Sequence, residues 1–376
     1  MSTCFSTRAM LAALGLAMAL PGVAFADNGG KAGFLDGLKA ERLVTSAVPT
    51  NGDQNPYAMA ISPVTSGKLH KGALLVDNFN DKKNLQGTGT TIISYNPETK
   101  QTTIFAALPD KISGCPGGVG LSTALAVLKS GWVIVGSAPS TDGTTKTLGA
   151  GCLIILNNQG EVAGTIAGAN IADPWGNMAW VDEGNKATLF ISNAGFGIGA
   201  PGQPVQNTAT ILRIELEIPA GQPPRVSNQT VIANGLGAQA DASVFLIGPT
   251  GLALGKDGTL YASDAIGNRI VKIPNALTRA DSAGTGEAVS TGGLLNRPLA
   301  LILAPNGNLV TVNGLDGRAV EIDPTSGQQL GDKWLDKDEA QNPPGSGDLF
   351  GVVLMPNGKG IYYVEDDMNT VMRAAQ

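Results

Sequence analysis

The chain has 376 residues and a formal net charge of −6, with few charged (15%) or aromatic (5%) side chains beside 51 glycines and 22 prolines. Such a weakly charged, acidic surface argues against binding to nucleic acid or to anionic lipid headgroups, and we expect neither partner. Abundant glycine and proline with little charge are typical of many short strands joined by tight turns. The composition therefore predicts an all-β fold.

The first 26 residues have the pattern of a secretory signal peptide. Arg8 supplies a positive start, residues 9–20 are uncharged and apolar, and residues 24–26 (AFA) form a small-x-small cleavage pattern. The apolar run is shorter than the roughly 20 residues that a membrane span requires. We therefore predict export to the periplasm or the medium without membrane insertion, followed by a polar, glycine-rich linker over residues 27–40.

One short pattern recurs along the rest of the chain: a Pro or Gly, an apolar strand, a glycine turn, a second apolar strand, and a polar residue at its end. Its clearest copies are residues 249–264, 297–313 and 349–366, and fainter copies begin near Pro56, Gly118 and Pro174. Repeats of roughly 40–50 residues with about four strands each are the signature of propeller blades. The sequence predicts one six-bladed β-propeller over residues 41–376.

The sixth blade lacks an outer strand of its own, because its third strand, residues 370–373, is followed by only three more residues. Residues 42–48 precede the first blade and alternate between apolar and polar side chains, as a strand does. We predict that this N-terminal strand completes the sixth blade. Such pairing closes the ring and removes exposed sheet edges that would promote aggregation.

Two cysteines, Cys115 and Cys152, follow the predicted cleavage site. Cys115 precedes the first strand of the second blade and Cys152 opens its third strand. First and third strands of an antiparallel blade run in the same direction, so both cysteines fall at one end of the blade. An exported compartment permits them to form a disulfide, which we predict; two separate thiols are the alternative.

The two ends of the propeller differ in their predicted roles. Asn306-Gly307, Asp257-Gly258 and Asn357-Gly358 connect first and second strands, where primed hairpin turns favour these pairs, and we call that end the hairpin face. The opposite end, the ring face, receives the starts of first strands and the ends of second strands. It collects one polar residue per blade, the polar ring: Asn78, Ser137, Asn193, Asp264, Asn313 and Asp366.

The polar ring has two interpretations. Oxygen-bearing side chains around a channel mouth could coordinate a hard cation such as Ca²⁺, which takes 6 to 8 oxygens, or bind a small molecule, a glycan or a protein loop. Alternatively, Asn and Asp stand there because they cap turns. Trp175, at the entrance of a strand, is a candidate platform for stacking a sugar, with ordinary packing as its alternative.

A second group of carboxylates is predicted at the ring face of the sixth blade. Asp332, Asp336, Asp338 and Glu339 lie in the connection that leads to Asp348, and residues 365–367 (EDD) end the second strand. We expect these segments to meet, and mutually repelling carboxylates would be stabilised by a bound cation. A solvated acidic rim is the alternative.

Residues 251–273 (GLALGKDGTLYASDAIGNRIVKI) resemble the NHL repeat, in which an apolar strand, a D-G turn, an L-Y strand, an Asp and an N-R-I-x-K/R strand recur. The fifth and sixth blades match this pattern more loosely. The resemblance implies a β-propeller that serves as a binding platform, and it implies no particular reaction.

Residues 177–193 (NMAWVDEGNKATLFISN) are similar to a segment of gluconolactonase-like, senescence-marker propellers. Those enzymes hold a divalent cation in the central channel, where it polarises a lactone carbonyl and activates water. The resemblance implies a metal site at Asp264 with Asn193 or Asn177. Residues 55–57 (NPY) stand where that family has a metal-binding glutamate.

Two functions therefore follow as hypotheses. The first is an exported, non-catalytic propeller that binds its ligand through the polar ring, and the alternative is a divalent-cation-dependent lactone hydrolase or lyase. A Ser-His-Asp triad or a histidine-ligated metal centre is excluded, because the single histidine, His70, falls in a predicted hairpin-face insertion.

Overall fold

The computed structural model describes Met1 and residues 33–376. The predicted signal peptide and the first part of the predicted linker lie outside the described residues. Within them, helix is limited to two single 3-10 turns, Leu35–Gly37 and Thr145–Thr147. None of the helices in this part of the chain has the length and apolar character needed to cross a membrane.

Six antiparallel sheets stand around a ring, as predicted. Blade one contains β2 (Gln54–Ile61), β3 (Leu74–Asn80), β4 (Thr91–Asn96) and β5 (Gln101–Ala107). Blade two contains β6 (Leu121–Val127), β7 (Val133–Ser137), β8 (Cys152–Leu156) and β9 (Val162–Ile166). Blade three contains β10 (Ala179–Asp182), β11 (Lys186–Asn193), β12 (Gln206–Glu217), β13 (Arg225–Asp241) and β14 (Phe245–Ile247).

The remaining blades follow in chain order. Blade four contains β15 (Pro249–Leu254), β16 (Leu260–Asp264), β17 (Arg269–Ile273) and β18 (Glu287–Thr291). Blade five contains β19 (Pro298–Leu303), β20 (Leu309–Asn313), β21 (Arg318–Ile322) and β22 (Gln329–Trp334). Blade six contains β23 (Leu349–Leu354), β24 (Gly360–Glu365), β25 (Thr370–Ala375) and β1 (Ala40–Ser46).

The ring closes as the sequence predicts. Strand β1 pairs antiparallel with β25, from Ala40 opposite Ala375 to Ser46 opposite Thr370, with a bulge between Leu43 and Thr45. The sheet order β1-β25-β24-β23 makes the N-terminal strand the outer edge of blade six. Residues from both ends of the propeller thus share one sheet.

Inner strands are buried on both faces because each blade packs between two neighbours. Every residue of β3, β7 and β8 is buried, which explains their continuous apolar runs. The outer strand β5 is exposed over its first three residues. Side chains between the sheets form the hydrophobic core.

Blade three departs from the prediction of four strands. Strand β13 is 17 residues long and pairs beyond its expected end with a fifth strand, β14, through Gln239 opposite Ile247. Register shifts interrupt the pairing of β12 with β13 at four places. Because each bulge resets the alternation of side chains, the sequence pattern hides the length of this strand.

The hairpin turns are not the primed turns that the sequence suggests. Gly258, Gly307 and Gly358 have positive φ, whereas the Asp or Asn before each of them does not. That residue instead accepts a hydrogen bond through its side chain, as when Asp257 Oδ1 accepts from the Thr259 N–H. The turns therefore need glycine at one position only, which a type I turn followed by a bulge provides.

The predicted disulfide is present. Cys115 and Cys152 are bonded, with their Cα atoms 5.5 Å apart. Cys152 lies opposite Ser137 at the ring-face end of blade two. Such bonds are typical of proteins from oxidising compartments.

The segment just before β1 packs against blade five. Phe34, Leu35 and Leu38 are buried, and the backbone N–H groups of Phe34 and Leu35 each donate to the Glu321 carboxylate at 2.9 Å. This segment contains the 3-10 turn Leu35–Gly37. The part of the predicted linker that the structure describes therefore adds contacts to the propeller.

Candidate cation site and central channel

The members of the polar ring occupy equivalent positions. Five of them lie opposite a ring-face residue of the same blade. That residue is the first residue of the inner strand in blades two, four and five and the third residue of β2 in blade one, and in blade three it forms an isolated bridge before β10. The pairs are Pro56 with Asn78, Leu121 with Ser137, Pro174 with Asn193, Pro249 with Asp264, and Pro298 with Asn313. In blade six Leu349 pairs with Glu365, so Asp366 stands one residue beyond the equivalent position.

The asparagines of the polar ring are buried and hydrogen-bonded to loop backbone. Asn193 accepts from the Ala172 N–H at 3.2 Å and donates to the Asn170 carbonyl at 3.1 Å. Asn313 bonds in the same manner to the loop that precedes its own blade. Asn78 donates to the Ala47 carbonyl at 3.0 Å. These contacts fit the turn-capping interpretation.

The other members also bond within the protein. The Ser137 hydroxyl contacts two backbone groups of the loop before blade two. The Asp264 carboxylate accepts from the Gly267 N–H and forms an ion pair of 2.8 Å with Arg269. In the amide orientation that satisfies both groups, the Asn55 side chain donates to Asp366. The polar ring therefore stabilises the loops of the ring face.

The metal ligands implied by the gluconolactonase resemblance do not fit a cation here. Asn177 lies in the channel, where its Nδ2 donates to the carbonyls of Leu252 (2.9 Å) and Leu301 (3.2 Å), and its Oδ1 accepts from the Leu301 N–H (3.0 Å). It thereby joins blades three, four and five. Asp264 is paired with Arg269, and Asn193 bonds to loop backbone, so all three residues already have protein partners.

Aromatic side chains fill the ring-face end of the channel. Tyr57 stacks on Phe350 and Phe79, with ring centroids 4.1 and 4.7 Å apart. Trp175 is 2% exposed and meets Tyr57 and Phe79 edge-on, while Phe245 packs against Phe79. We call these five residues the aromatic plug. Trp175 is therefore packed in the interior and offers no surface for stacking a sugar.

The sequence carried an unused signal for the aromatic plug. Tyr57, Trp175 and Phe350 each follow a residue that pairs with the ring-face end of the second strand of its blade. An aromatic residue at this position in three repeats indicates that the side chains meet on the axis of the ring. The prediction of a polar channel mouth rested on the ends of the second strands and did not take these three aromatic residues into account.

Three aspartates come together at the ring face of blade six, and we call them the acidic cluster: Asp336, Asp348 and Asp367. Each offers a carboxylate oxygen, and these oxygens lie within 4.8 Å of one another. Asp336 and Asp348 are only 6% and 4% exposed. Asp336 Oδ1 accepts from the Asp338 N–H, but the Oδ2 atoms of Asp336 and Asp348 are buried without a hydrogen-bond partner.

Backbone hydrogen bonds set the positions of the acidic cluster. The N–H groups of Leu335 and Asp336 both donate to the Gly317 carbonyl, which turns the chain inward after β22. The Asp348 carbonyl accepts from the Asp366 N–H immediately before β23 begins. Asp367 follows in the turn between β24 and β25. The connection from residue 335 to 348 and this turn therefore meet, as the sequence predicts.

The acidic cluster lacks a neutralising cation from the protein. None of the ion pairs among the described residues involves its members. Burial first, and then the neighbouring carboxyl groups of Asp336 and Asp367, raise the pKa of Asp348 to about 8. Burial and the charge of Asp336 likewise raise the pKa of Glu365 to about 7. Asp336 and Asp348 are thus buried, whereas Asp367 is exposed and Glu365 is partly exposed, so the predicted rim is solvated only in part.

The other acidic residues of the connection remain outside the acidic cluster. Asp332 forms an ion pair of 2.6 Å with Arg318 on β21. Asp338 accepts from the Ala340 N–H, and Glu339 is exposed. Only part of the predicted carboxylate group therefore converges.

No protein-family model and no curated protein matches this chain. Among solved structures, it is similar to a luciferin-regenerating enzyme, with a TM-score of 0.55, 14% identity, and coverage of 87% of this chain and 93% of the other. A gluconolactonase from Xanthomonas campestris gives a TM-score of 0.54 and 12% identity, with 90% of each chain covered.

Regucalcin from Agrobacterium tumefaciens, a calcium-binding protein, gives a TM-score of 0.51 and 12% identity, with 89% of this chain and 93% of the other covered. At these identities the three likenesses show the propeller fold alone. The resemblance to the NHL repeat stays a prediction from the sequence.

Proposed function

We propose that the protein is an exported β-propeller that binds a hard divalent cation such as Ca²⁺ at the acidic cluster and serves as a binding module rather than as a catalyst. One observation carries the proposal: three carboxylates converge within 4.8 Å, and two of their oxygens are buried without partners. Export is supported by the signal-peptide pattern and by the disulfide.

The chemistry of the acidic cluster favours a hard cation. Carboxylate oxygens are the ligands that Ca²⁺ prefers, and its coordination is completed by carbonyls and water. A buried carboxylate without a partner is unfavourable, and either a proton or a cation relieves it. A divalent cation can contact Asp336, Asp348 and Asp367 together and offset two of their three negative charges, whereas a proton neutralises one carboxylate at a time.

A bound cation would join two segments at the closure of the ring. It would connect the residue 335–348 loop to the turn between β24 and β25. The same turn contains Asn369, whose carbonyl accepts from the Ala47 N–H and whose Oδ1 accepts from the Asn55 N–H. The cation would thereby order the ring-face surface between blades five, six and one, which is where we place partner binding.

The lactone hydrolase alternative is not supported by the channel. Asp264, Asn193 and Asn177 already have protein partners, and the aromatic plug occupies the ring-face end. The cation proposed here lies elsewhere, in blade six. We therefore propose binding and not lactone hydrolysis.

Calorimetric titration of Ca²⁺ into the chelator-treated mature protein tests the proposal. We expect one site with a Kd between about 10⁻⁶ and 10⁻³ M, and stabilisation by about 2.7 kcal/mol at about 100 times that Kd. Asp348→Asn should abolish the binding heat, whereas Glu339→Gln, in the same connection but exposed, should keep it. A titration without binding heat, together with an unchanged melting temperature, refutes the cation site.

A parallel assay tests the absence of catalysis. Gluconolactone hydrolysis with saturating Ca²⁺ should equal the uncatalysed rate. Hydrolysis that exceeds this rate and disappears in Asp264→Asn would overturn the binding-module proposal in favour of the lactonase alternative.

A further inference from the structure

A pocket opens at the hairpin-face end of the channel, opposite the acidic cluster. Its volume is about 460 Å³, and the inner strands of five blades line it, through residues 59–61, 177–180, 252–254, 301–303 and 352–354. Small-molecule sites commonly have volumes of about 300–1,000 Å³. The pocket is therefore large enough for an organic ligand.

The wall of this pocket is uncharged and almost wholly apolar. Among the described residues that line it, only Asn177 and the indole N–H of Trp180 offer polar side-chain groups, and both ends of the Asn177 amide are bonded to the backbone of Leu252 and Leu301. A charged ligand would lose its hydration without gaining a partner from any side chain. Complementarity therefore favours a neutral, apolar molecule.

Apolar surface in the pocket remains accessible to solvent. Ile302, Leu303, Val353 and Leu354 are partly exposed although they lie on inner strands. Covering such surface releases about 25 cal/mol for each Å² removed from water. Met59 contributes a flexible thioether that adapts to the shape of a ligand.

The pocket has one entrance. At its inner end Asn177 joins the strands of blades three, four and five, and Gly251 lies so close to blade five that an added Cβ would be 2.3 Å from Leu301 N. Beyond this level the aromatic plug fills the channel, with Tyr57 and Phe350 stacked at 4.1 Å. A ligand therefore enters and leaves through the hairpin face.

Backbone groups can anchor a ligand. Each inner strand has a sheet neighbour on one side only, so N–H and C=O groups on its other edge face the channel. Asn177 already bonds to three such groups on Leu252 and Leu301. One hydroxyl or carbonyl on an otherwise apolar molecule can use others.

We propose that the hairpin-face end of the channel binds a neutral, lipid-like small molecule with a hydrocarbon body and at most one hydroxyl or carbonyl group. The inference goes beyond the cation proposal. It depends on the channel wall and not on the acidic cluster.

Titration with N-phenyl-1-naphthylamine, a neutral apolar probe whose fluorescence rises outside water, tests this inference on the full mature chain. We expect saturable binding of one probe per chain, displaced by dodecanol at lower concentration than by the dodecanoate anion. Ile302→Glu and Val353→Glu should each weaken binding by at least about tenfold, because they place a carboxylate at the apolar wall. Leu330→Glu, on the exposed outer strand β22, is the matched control and should bind as the unmodified protein does.

The inference would be overturned by the absence of saturable binding, by equal affinity in the folded Glu variants, or by displacement by the anion at least as strong as by the alcohol. It would also be overturned if a second copy of the chain filled the pocket. Sedimentation at several protein concentrations tests this case, because a dimer that excludes the probe would be detected. Asp348→Asn should leave probe binding unchanged. The result for the cation proposal is thereby kept separate from the result for the pocket proposal.

Discussion

At the scale of single residues, Asp77 occupies the position in blade one that Ser263, a serine that joins neighbouring blades, occupies in blade four. Ser263, just before Asp264 of the polar ring, accepts from the Gly251 N–H of its own blade and donates to the Leu299 carbonyl of the next blade. Asp77 precedes Asn78 in the same way and accepts from the Ala58 N–H at 2.8 Å. Its Oδ2 is buried without a partner. Burial raises the pKa of Asp77 well above its ordinary value.

The substitution Asp77→Ser should keep the fold and make stability less dependent on pH. The pKa of Asp77 is higher in the folded than in the unfolded chain, so its stabilisation is complete below the unfolded pKa of about 3.9 and is lost as pH rises. Urea unfolding at pH 5 and pH 7 should show a smaller loss of stability for the variant than for the unmodified protein. Ser263→Ala, the control, should lower stability equally at both values. Identical pH dependence in Asp77→Ser and the unmodified protein would contradict this role.

The positions of functional side chains were more predictable than their partners. Strand alternation was sufficient to place Asn193 and Asn313 at the ring face. Their hydrogen bonds to loop backbone depend on how the preceding loops fold, which strand patterns do not specify. Asn177 shows the same limit, because its partners belong to two other blades.

At the scale of elements, β1 contributes to the ring mainly through its backbone. The Ala375 carbonyl accepts from the Lys39 N–H at 2.9 Å, whereas the Gln376 N–H donates to the Lys359 carbonyl on the β24 side. By strand alternation the backbone groups of Arg373 therefore face β1, where Arg42 lies opposite. The Arg42 side chain is exposed. A substitution at this exposed position therefore tests the backbone pairing of β1 without removing a buried side chain.

Arg42→Pro should destabilise the propeller by about 3 kcal/mol or more, because proline removes a ladder hydrogen bond and cannot fit inside a paired strand. Arg42→Thr keeps the N–H and a good strand former, so it should change stability by less than about 0.5 kcal/mol. Chemical denaturation of both variants measures the difference. Equal stability of the two would show that β1 does not close the ring in solution.

At the scale of the whole molecule, the fold was largely predictable and the two ends of the channel were not. The repeat fixes blade number, strand order and closure, because each copy must bury its faces against the next. The aromatic plug and the pocket depend on side chains from different blades that meet near the axis. The acidic cluster could be predicted because its residues lie in two short, carboxylate-rich segments of the sequence.

Stability in the absence of metal should fall as pH rises. The pKa of Asp348 is raised to about 8, by burial first and then by Asp336, and that of Glu365 is raised to about 7, by burial and then by Asp336. The folded chain therefore holds protons that the unfolded chain releases near pH 4. The contribution of these two groups to stability is therefore complete below about pH 4 and declines until pH passes about 8.

Ca²⁺ should reverse this decline, because the cation takes the place of the protons on the acidic cluster and its binding strengthens as they leave. Melting temperatures measured from pH 5 to pH 8 should fall more steeply with chelator present than with saturating Ca²⁺, so that the gap between the curves widens with pH. Asp348→Asn should flatten the chelator curve and remove the gap, whereas Glu339→Gln should retain both. Parallel curves for the unmodified protein would mean that protons and cations do not compete at these aspartates, and the cation site would then have to be abandoned.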